Sequence, residues 1–99
     1  MKRTVIRYRT KPERADENAR LVAAVFQELT AQAPDGVRYM ALRLADDTFV
    51  HVVETAGDGP SPLPQLAAFR AFQAGLGERC LEPPRALEAT VVGAWRMLG

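Results

Sequence analysis

Hydrophobic positions along the chain follow an order of spacings that predicts strand, helix, strand, strand, helix and strand. The first segment, Thr4 to Thr10, alternates, with Ile6 and Tyr8 on one face and charged residues on the other. A helical spacing of three and four follows from Arg14 to Ala33. The apolar positions of this helix are Leu21, Val22, Val25, Phe26 and Leu29.

Two strands and a tight turn are predicted next. Pro34-Asp35-Gly36 ends the first helix and reverses the chain. The segments Val37 to Leu44 and Thr48 to Glu54 read as strands, and Asp46-Asp47 lies between them. This short separation predicts a hairpin, and therefore antiparallel pairing of the two strands.

The second helix begins at Pro64 after a loop rich in glycine and proline. Its apolar positions are Leu66, Phe69, Phe72 and Leu76. Glu82-Pro83-Pro84 is expected to stop regular structure, and Glu88 to Met97 is predicted as the last strand. The order predicts one α+β domain over residues 1–99, a ferredoxin-like βαββαβ fold in which two helices cover one face of an antiparallel sheet.

The predicted strands carry apolar side chains on both faces. In the second strand, Tyr39 and Ala41 oppose Met40 and Leu42. An antiparallel sheet with one hydrated face normally alternates apolar and polar residues. Two helices cover only one face, so we expect a second copy to cover the other, giving a homodimer whose sheets meet face to face.

Composition narrows the choice of partners. The net charge is +1, which argues against general affinity for nucleic acid or anionic membranes. The single cysteine, Cys80, cannot form an internal disulfide, and no CxxC pair or zinc-ligand spacing is present, so no metal site is predicted. No segment reaches the length of a membrane-spanning helix, and a cytoplasmic protein is the expectation.

The chain resembles the dimeric α+β barrel superfamily, and within it the small proteins related to antibiotic biosynthesis monooxygenases. Four segments carry the resemblance: VIRYRTKPERADEN, GVRYMALRLADDTFVHVVE, LPQLAAFRAFQAGLGERC and VVGAWRML. They cover nearly the whole chain, but they are patterns of fold and contain no active-site signature.

The resemblance implies a pocket between sheet and helices that binds a small aromatic or quinol-like compound. In such relatives the substrate anion itself reacts with dioxygen, so the resemblance implies a monooxygenase with no cofactor. The protein then needs only to bind and orient the substrate and to help remove its proton. Many proteins of this group have no assigned function.

Five residues are candidates for such a site. His51, the only histidine, stands among apolar residues in the third strand, where a neutral imidazole could accept a phenolic proton. Tyr39, Trp95, Phe49 and Tyr8 occupy strand positions that could line a cavity for a planar ligand. The competing interpretation is structural, with a hydrogen-bonded core histidine and ordinary aromatic packing.

Two classes of function therefore stay open. One is a cofactor-independent oxygenase or isomerase acting on a small aromatic or quinone-like compound, and the other is a non-catalytic homodimer that binds a small ligand or serves as a structural unit. RNA-recognition domains share the βαββαβ order, but they need exposed aromatic residues in a basic, glycine-containing third strand. The segment Thr48 to Glu54 contains no Arg, Lys or Gly, which excludes that reading.

Overall fold

Four antiparallel strands form the sheet, with helices on one face, in a computed structural model that describes residues 1–57 and 59–97. Asp58, in the predicted loop before the second helix, and the last two residues lie outside the described part. The strands are β1 (Lys2–Thr10), β2 (Val37–Arg43), β3 (Thr48–Thr55) and β4 (Cys80–Glu88), in the spatial order β2-β3-β1-β4. The predicted α+β, ferredoxin-like fold is confirmed.

Three helices pack against the sheet. The first, α1, spans Ala15–Gln32, close to its predicted limits. The predicted second helix is divided into α2 (Ala67–Gln73) and α3 (Leu76–Arg79). Gly75 separates them with a φ of 76°, a left-handed conformation that glycine adopts without a steric penalty. Short 3-10 helices at Pro12–Arg14 and Leu63–Gln65 precede α1 and α2.

The strand register decides which side chains face the helices. Tyr8 of β1 pairs with Phe49 of β3, and Ile6 pairs with His51. Since alternate residues of a strand point to opposite faces, Tyr8, Phe49 and His51 all lie on the helix side. The buried apolar core there consists of Tyr8, Val22, Val25, Phe49 and Phe72.

The predicted position of the last strand is wrong. Strand β4 runs from Cys80 to Glu88, and thus contains the Pro83-Pro84 pair that was expected to end regular structure. Two features accommodate the prolines. Strand β4 lies at the edge of the sheet, and its register against β1 shifts between Arg7 and Arg9, so that the prolines lie in a bulge opposite Tyr8.

The segment 89–97, predicted as strand, has no regular secondary structure. It lies beside the sheet face opposite the helices, where Val91, Ala94 and Met97 border a cavity together with Met40 and Val52. The side chain of Trp95 is 78% exposed. The Arg96 guanidinium lies 4.8 Å from the centre of its ring.

The sheet face opposite the helices carries an apolar row that crosses all four strands. Met40 pairs with Val52, Val52 with Val5, and Val5 with Leu87. Leu87 is 67% exposed. We call these four residues the outer apolar row.

The longest helix, α1, carries several charged residues and is amphipathic. Within residues 1–57 and 59–97, no helix is both long and apolar enough to cross a membrane.

Helix α1 ends at Ala33 in a left-handed conformation, with a φ of 44°. Glycine is favoured there because a Cβ is sterically costly. We predict that Ala33→Gly stabilises the protein by about 0.5–1 kcal/mol because it removes the strain of a Cβ in the left-handed conformation. The greater freedom of glycine in the unfolded chain offsets part of this gain. Thermal unfolding should show a rise in Tm of roughly 2–8 °C.

The matched control is Ala31→Gly, at an alanine that is also exposed and lies within the last turn of the same helix. Glycine within a helix lowers stability by about 0.5–1 kcal/mol, so this variant should unfold at a lower temperature. Equal shifts in both variants would show that the left-handed conformation of Ala33 carries no strain.

Candidate functional site

Three neighbouring strands place His51, Tyr8 and Tyr39 together on the helix side of the sheet. Tyr8 and His51 are diagonal neighbours across β1 and β3, and Tyr39 occupies the same relation to His51 from β2. The ring centroid of His51 lies 5.3 Å from that of Tyr8 and 5.6 Å from that of Tyr39. Because side chains alternate between the two faces along each strand, these three side chains lie together on the same face.

Both ring nitrogens of His51 make hydrogen bonds. The Tyr8 hydroxyl lies 2.8 Å from Nε2, and the Tyr39 hydroxyl contacts Nδ1. The His51 side chain is almost fully buried, with 3% of its surface exposed. The Phe72 ring stacks on the imidazole at a centroid distance of 5.4 Å.

Asn18 and Arg79 extend the hydrogen bonds behind Tyr8. The Asn18 Nδ2 donates to the Tyr8 hydroxyl over 2.9 Å, and the Arg79 Nε donates to the Asn18 Oδ1 over 3.0 Å. Both side chains are buried. A continuous chain of hydrogen bonds thus runs from Arg79 through Asn18, Tyr8 and His51 to Tyr39, and we call it the polar chain.

The Arg79 guanidinium is held by backbone carbonyls at the end of α2. Its two terminal nitrogens donate to the carbonyl oxygens of Phe72 and Ala74, at 2.5 and 3.1 Å. The left-handed turn at Gly75 allows α3 to fold back so that Arg79 reaches them. No carboxylate forms an ion pair with Arg79 among the described residues, so the carboxyl end of α2 supplies the compensating negative potential.

Burial changes the proton affinity of the whole cluster. It lowers the pKa of His51 to about 4, which keeps the imidazole neutral at physiological pH. Burial also raises the pKa of Tyr8, although the Asn18 hydrogen bond opposes that shift. The pKa of Tyr39 is raised by burial and, to a smaller extent, by Tyr8.

An inner cavity of about 240 Å³ adjoins the polar chain. Its polar lining comes from Tyr8, Tyr39 and His51, with Gln73 at the rim. The remaining walls are mainly apolar: Ile6, Val53, Leu63, Phe69, Phe72, Leu76 and Pro84. A cavity of roughly 150 Å³ can hold a benzene molecule, so this one has room for a substituted single ring.

A wider outer cavity of about 460 Å³ lies next to the inner one. The two share five lining residues, which are Ile6, Val53, Leu63, Phe69 and Gln73. The outer cavity reaches Gly57 and Gly59 on the loop before α2. A ligand larger than one ring could therefore extend from the inner cavity toward this loop.

The structure brings together three of the five predicted site residues, His51, Tyr39 and Tyr8, at the inner cavity. Phe49 stands behind them and stacks on Tyr8 at 5.5 Å between ring centroids. Trp95 lies in the segment after β4, away from the inner cavity.

Sequence reasoning missed Asn18 and Arg79. A signal for Asn18 was present, since it lies four residues before Val22 on the apolar face of α1. A polar residue on such a face needs a buried partner. Nothing comparable marked Arg79, which the sequence places among ordinary charged residues near a helix end.

Known protein families contain no sequence profile that matches the chain, and no curated protein is similar to it in sequence. Solved structures are similar in fold. A protein from Nitrosomonas europaea, provisionally named an antibiotic biosynthesis monooxygenase, superposes with a TM-score of 0.72 at 12% identity, over 92% of this chain and 89% of that one. The chain has the fold of the antibiotic biosynthesis monooxygenase-like proteins.

Further structures agree with this monooxygenase-like fold. A protein from Caulobacter crescentus with the same provisional name gives a TM-score of 0.70 at 17% identity, over 93% of this chain and 90% of that one. A second Nitrosomonas europaea protein, of unknown function, gives 0.68 at 21% identity, over 99% and 96%. Identities this low establish the shared fold, and activity must be argued from the residues of this chain.

The lowered pKa of His51 predicts a pH-dependent stability. The unfolded chain binds a proton near pH 6.5, whereas the folded protein does so only near pH 4. Protonation between these values favours unfolding, so the contribution is complete above about pH 6.5 and is lost as the pH falls toward 4. The full loss is about 3 kcal/mol.

Urea unfolding from about pH 7.5 to 4 measures this loss, with His51→Gln as the control. Because His51 is the only histidine, the difference between the two curves belongs to this side chain. We expect the free energy of unfolding of the wild type to fall more steeply than that of the variant. Parallel curves would mean that His51 titrates normally in the folded protein.

Proposed function

We propose that this protein is a cytosolic, cofactor-independent monooxygenase that acts on a small aromatic or quinol-like compound. The observation that carries the proposal is the buried Tyr8–His51–Tyr39 cluster on the wall of an otherwise apolar cavity. Apolar cavities with a few convergent polar groups and shifted pKa values are typical of ligand sites. The single cysteine supports a reducing compartment.

The size and lining of the inner cavity support a flat ligand. Phe69 and Phe72 form one wall, with ring centroids 6.1 Å apart. A single ring placed there would have apolar contacts on its faces and could direct one oxygen toward Tyr39. Larger ligands would keep their reacting ring in this inner part and extend into the outer cavity.

Tyr39 and His51 have different parts in this proposal. With a pKa of about 4, His51 is too weak a base to keep the proton of a phenol at neutral pH. We therefore assign it the orientation of the Tyr39 hydroxyl, which lines the cavity and is only half-buried. Tyr39 would contact the ligand oxygen.

The reaction would draw its electrons from the substrate. A ring carbon activated by the substrate oxyanion gives up its hydrogen, and the substrate transfers four electrons to dioxygen. One oxygen atom becomes a carbonyl at that carbon, and the other leaves as water with the hydrogen of that carbon and the proton of the substrate hydroxyl, so that a phenol becomes a quinone. The protein would bind the anion, exclude bulk water and direct the ring, and these are the tasks for which the cavity is suited.

Tyr39→Phe tests the proposed contact because it removes only the hydroxyl. We expect oxygen uptake with single-ring quinols and their bicyclic homologues to fall about 100-fold, the effect typical of losing one hydrogen bond to a developing oxyanion. Binding of the same compounds, measured as a rise in Tm, should weaken as well. Thermal unfolding of the free variant checks that the fold is retained.

Phe49→Leu is the matched control, because Phe49 packs behind Tyr8 and does not line the inner cavity. It should lower stability by about 1–2 kcal/mol while binding is retained. If Tyr39→Phe leaves binding and turnover unchanged, the polar chain is only a satisfied core. The non-catalytic alternative, a ligand-binding or structural homodimer, would then be favoured.

A homodimer is the second part of the proposal, and the outer apolar row supports it. Met40, Val52, Val5 and Leu87 form a continuous strip on the sheet face that no helix of residues 1–57 and 59–97 covers, and the segment 89–97 borders it at Met40 and Val52. Burying such a strip against a second copy would stabilise the pair by about 25 cal/mol per Å² of apolar surface. The two sheets would then enclose the strips between them.

Val52→Lys places a charge at the centre of this strip, and we expect it to convert the dimer to a monomer. Sedimentation or light scattering measures the mass directly. Gln27→Lys is the matched control, since Gln27 is exposed on α1, on the opposite side of the sheet. A wild type that sediments as a monomer would contradict the proposed dimer.

A further inference from the structure

The hydrogen bonds of the polar chain run in one donor-to-acceptor direction, and Arg79 determines that direction. A guanidinium nitrogen can only donate, so the Asn18 atom that faces Arg79 Nε must be the carbonyl oxygen Oδ1. The opposite orientation of the amide would bring two donors together. The Asn18 amide nitrogen is therefore the atom that faces the Tyr8 hydroxyl, to which it donates.

The hydrogen bond from Asn18 to Tyr8 in turn determines how Tyr8 bonds to His51. Its oxygen accepts the Asn18 hydrogen, which leaves its own proton for the other neighbour, Nε2 of His51. Nε2 is then an acceptor, and the single proton of the neutral imidazole lies on Nδ1. From there it is donated to the Tyr39 oxygen. The hydroxyl proton of Tyr39 is then left without a recipient among the described residues.

The reverse arrangement is less favourable. If His51 carried its proton on Nε2, Tyr8 would accept two hydrogen bonds, and its proton would have no acceptor among the described residues. Tyr8 is 2% exposed, so this unpaired donor would be deeply buried. In the first arrangement the unpaired proton belongs to the half-buried Tyr39, which lines the cavity.

We propose that Arg79 and Asn18 are positioning residues that hold His51 in its Nδ1-protonated form, so that the Tyr39 hydroxyl donates to a ligand oxyanion, a phenolate or enolate. The site thereby selects the ionised form of the ligand over the neutral hydroxyl. The identity of the ligand rests on the proposed function, whereas the direction of the chain is a property of the free protein.

The direction is tested without ligand, by measuring which His51 nitrogen carries the proton. Two-bond 1H–15N spectra of the untagged protein contain the signals of one imidazole, because the chain has one histidine. We expect the Nδ1-protonated form in the wild type and in Tyr39→Phe, since Tyr8 still donates to Nε2 in that variant. Nε2 protonation in the wild type, or a change of form in Tyr39→Phe, would overturn the proposal.

Asn18→Asp is designed to reverse the direction of the hydrogen bonds between Tyr8, His51 and Tyr39. A carboxylate of the same shape accepts from both Arg79 and Tyr8, so Tyr8 must then accept from His51. We expect the imidazole proton to move to Nε2 and Tyr39 to donate to Nδ1. An Asn18→Asp variant that folds and keeps the Nδ1-protonated form would show that Asn18 does not set the direction. If this variant does not fold, the wild type and Tyr39→Phe still decide the question.

Binding of 4-nitrophenol tests whether the site prefers the ionised form of a ligand. This single-ring probe ionises near neutral pH, and its phenolate absorbs at a different wavelength from its phenol. We expect the wild type to bind the phenolate about tenfold more tightly than the phenol, as a bond to an ionised acceptor implies. Binding would then lower the apparent pKa of the probe. Asn18→Asp should lose this preference. The methyl ether 4-nitroanisole, which cannot ionise, is the control, and the affinity of each protein for it should stay constant over the pH range in which 4-nitrophenol ionises.

The protonation of His51 on Nδ1 and the preference for an ionised ligand are overturned by different results. A wild type with the Nδ1-protonated form that shows no preference for the phenolate would overturn the oxyanion assignment, whether or not the protein oxidises quinols. A wild type with the Nε2-protonated form would overturn the direction and leave the proposed monooxygenase to be judged by the Tyr39→Phe assays.

Discussion

The buried guanidinium of Arg79 connects helix α1 to the end of helix α2, which contributes Phe72 to the inner cavity. It contacts Asn18 on α1 and the carbonyl oxygens of Phe72 and Ala74 at the end of α2. A buried charge is tolerated only where its donors are paired, so these contacts constrain both helices at once. Gly75 makes them reachable by turning the chain left-handed between α2 and α3. The polar chain on the sheet begins at this point.

The polar chain occupies a core that has little stability to spare. A domain of 99 residues is stabilised by only about 5–15 kcal/mol in total, and apolar side chains would fill the same space without any need for partners. Proteins depart from such simple packing mainly at functional sites. The two tyrosines that flank His51, one on each ring nitrogen, therefore support a site that handles a proton or an oxyanion more than a site that merely packs.

The two faces of the sheet carry different kinds of side chain. The helix side holds the aromatic and polar groups, and the opposite side holds the outer apolar row. Strand β4 contributes to both, because Leu87 extends that row and Pro84 lines the inner cavity. Pro84 and Leu87 are three positions apart, and alternate residues of a strand point to opposite faces, so one strand supplies both.

The periods of two and 3.6 in the hydrophobic pattern were sufficient to predict the element order, the hairpin and the fold class, because those periods reflect which side of each element is buried. The same alternation grouped Tyr39 with Ala41, and His51 with Phe49, on one face of each strand, but it left open which face the helices cover. The position of the last strand escaped this reasoning, since proline is acceptable in a strand at the sheet edge and the edge is known only from the assembled sheet. Arg79 and Asn18 escaped it because they are 61 positions apart and meet only through packing. The sequence by itself thus determined the architecture and supplied the histidine and its tyrosines. Only the tertiary structure decided the direction of their hydrogen bonds, because that direction depends on a donor brought from a distant helix.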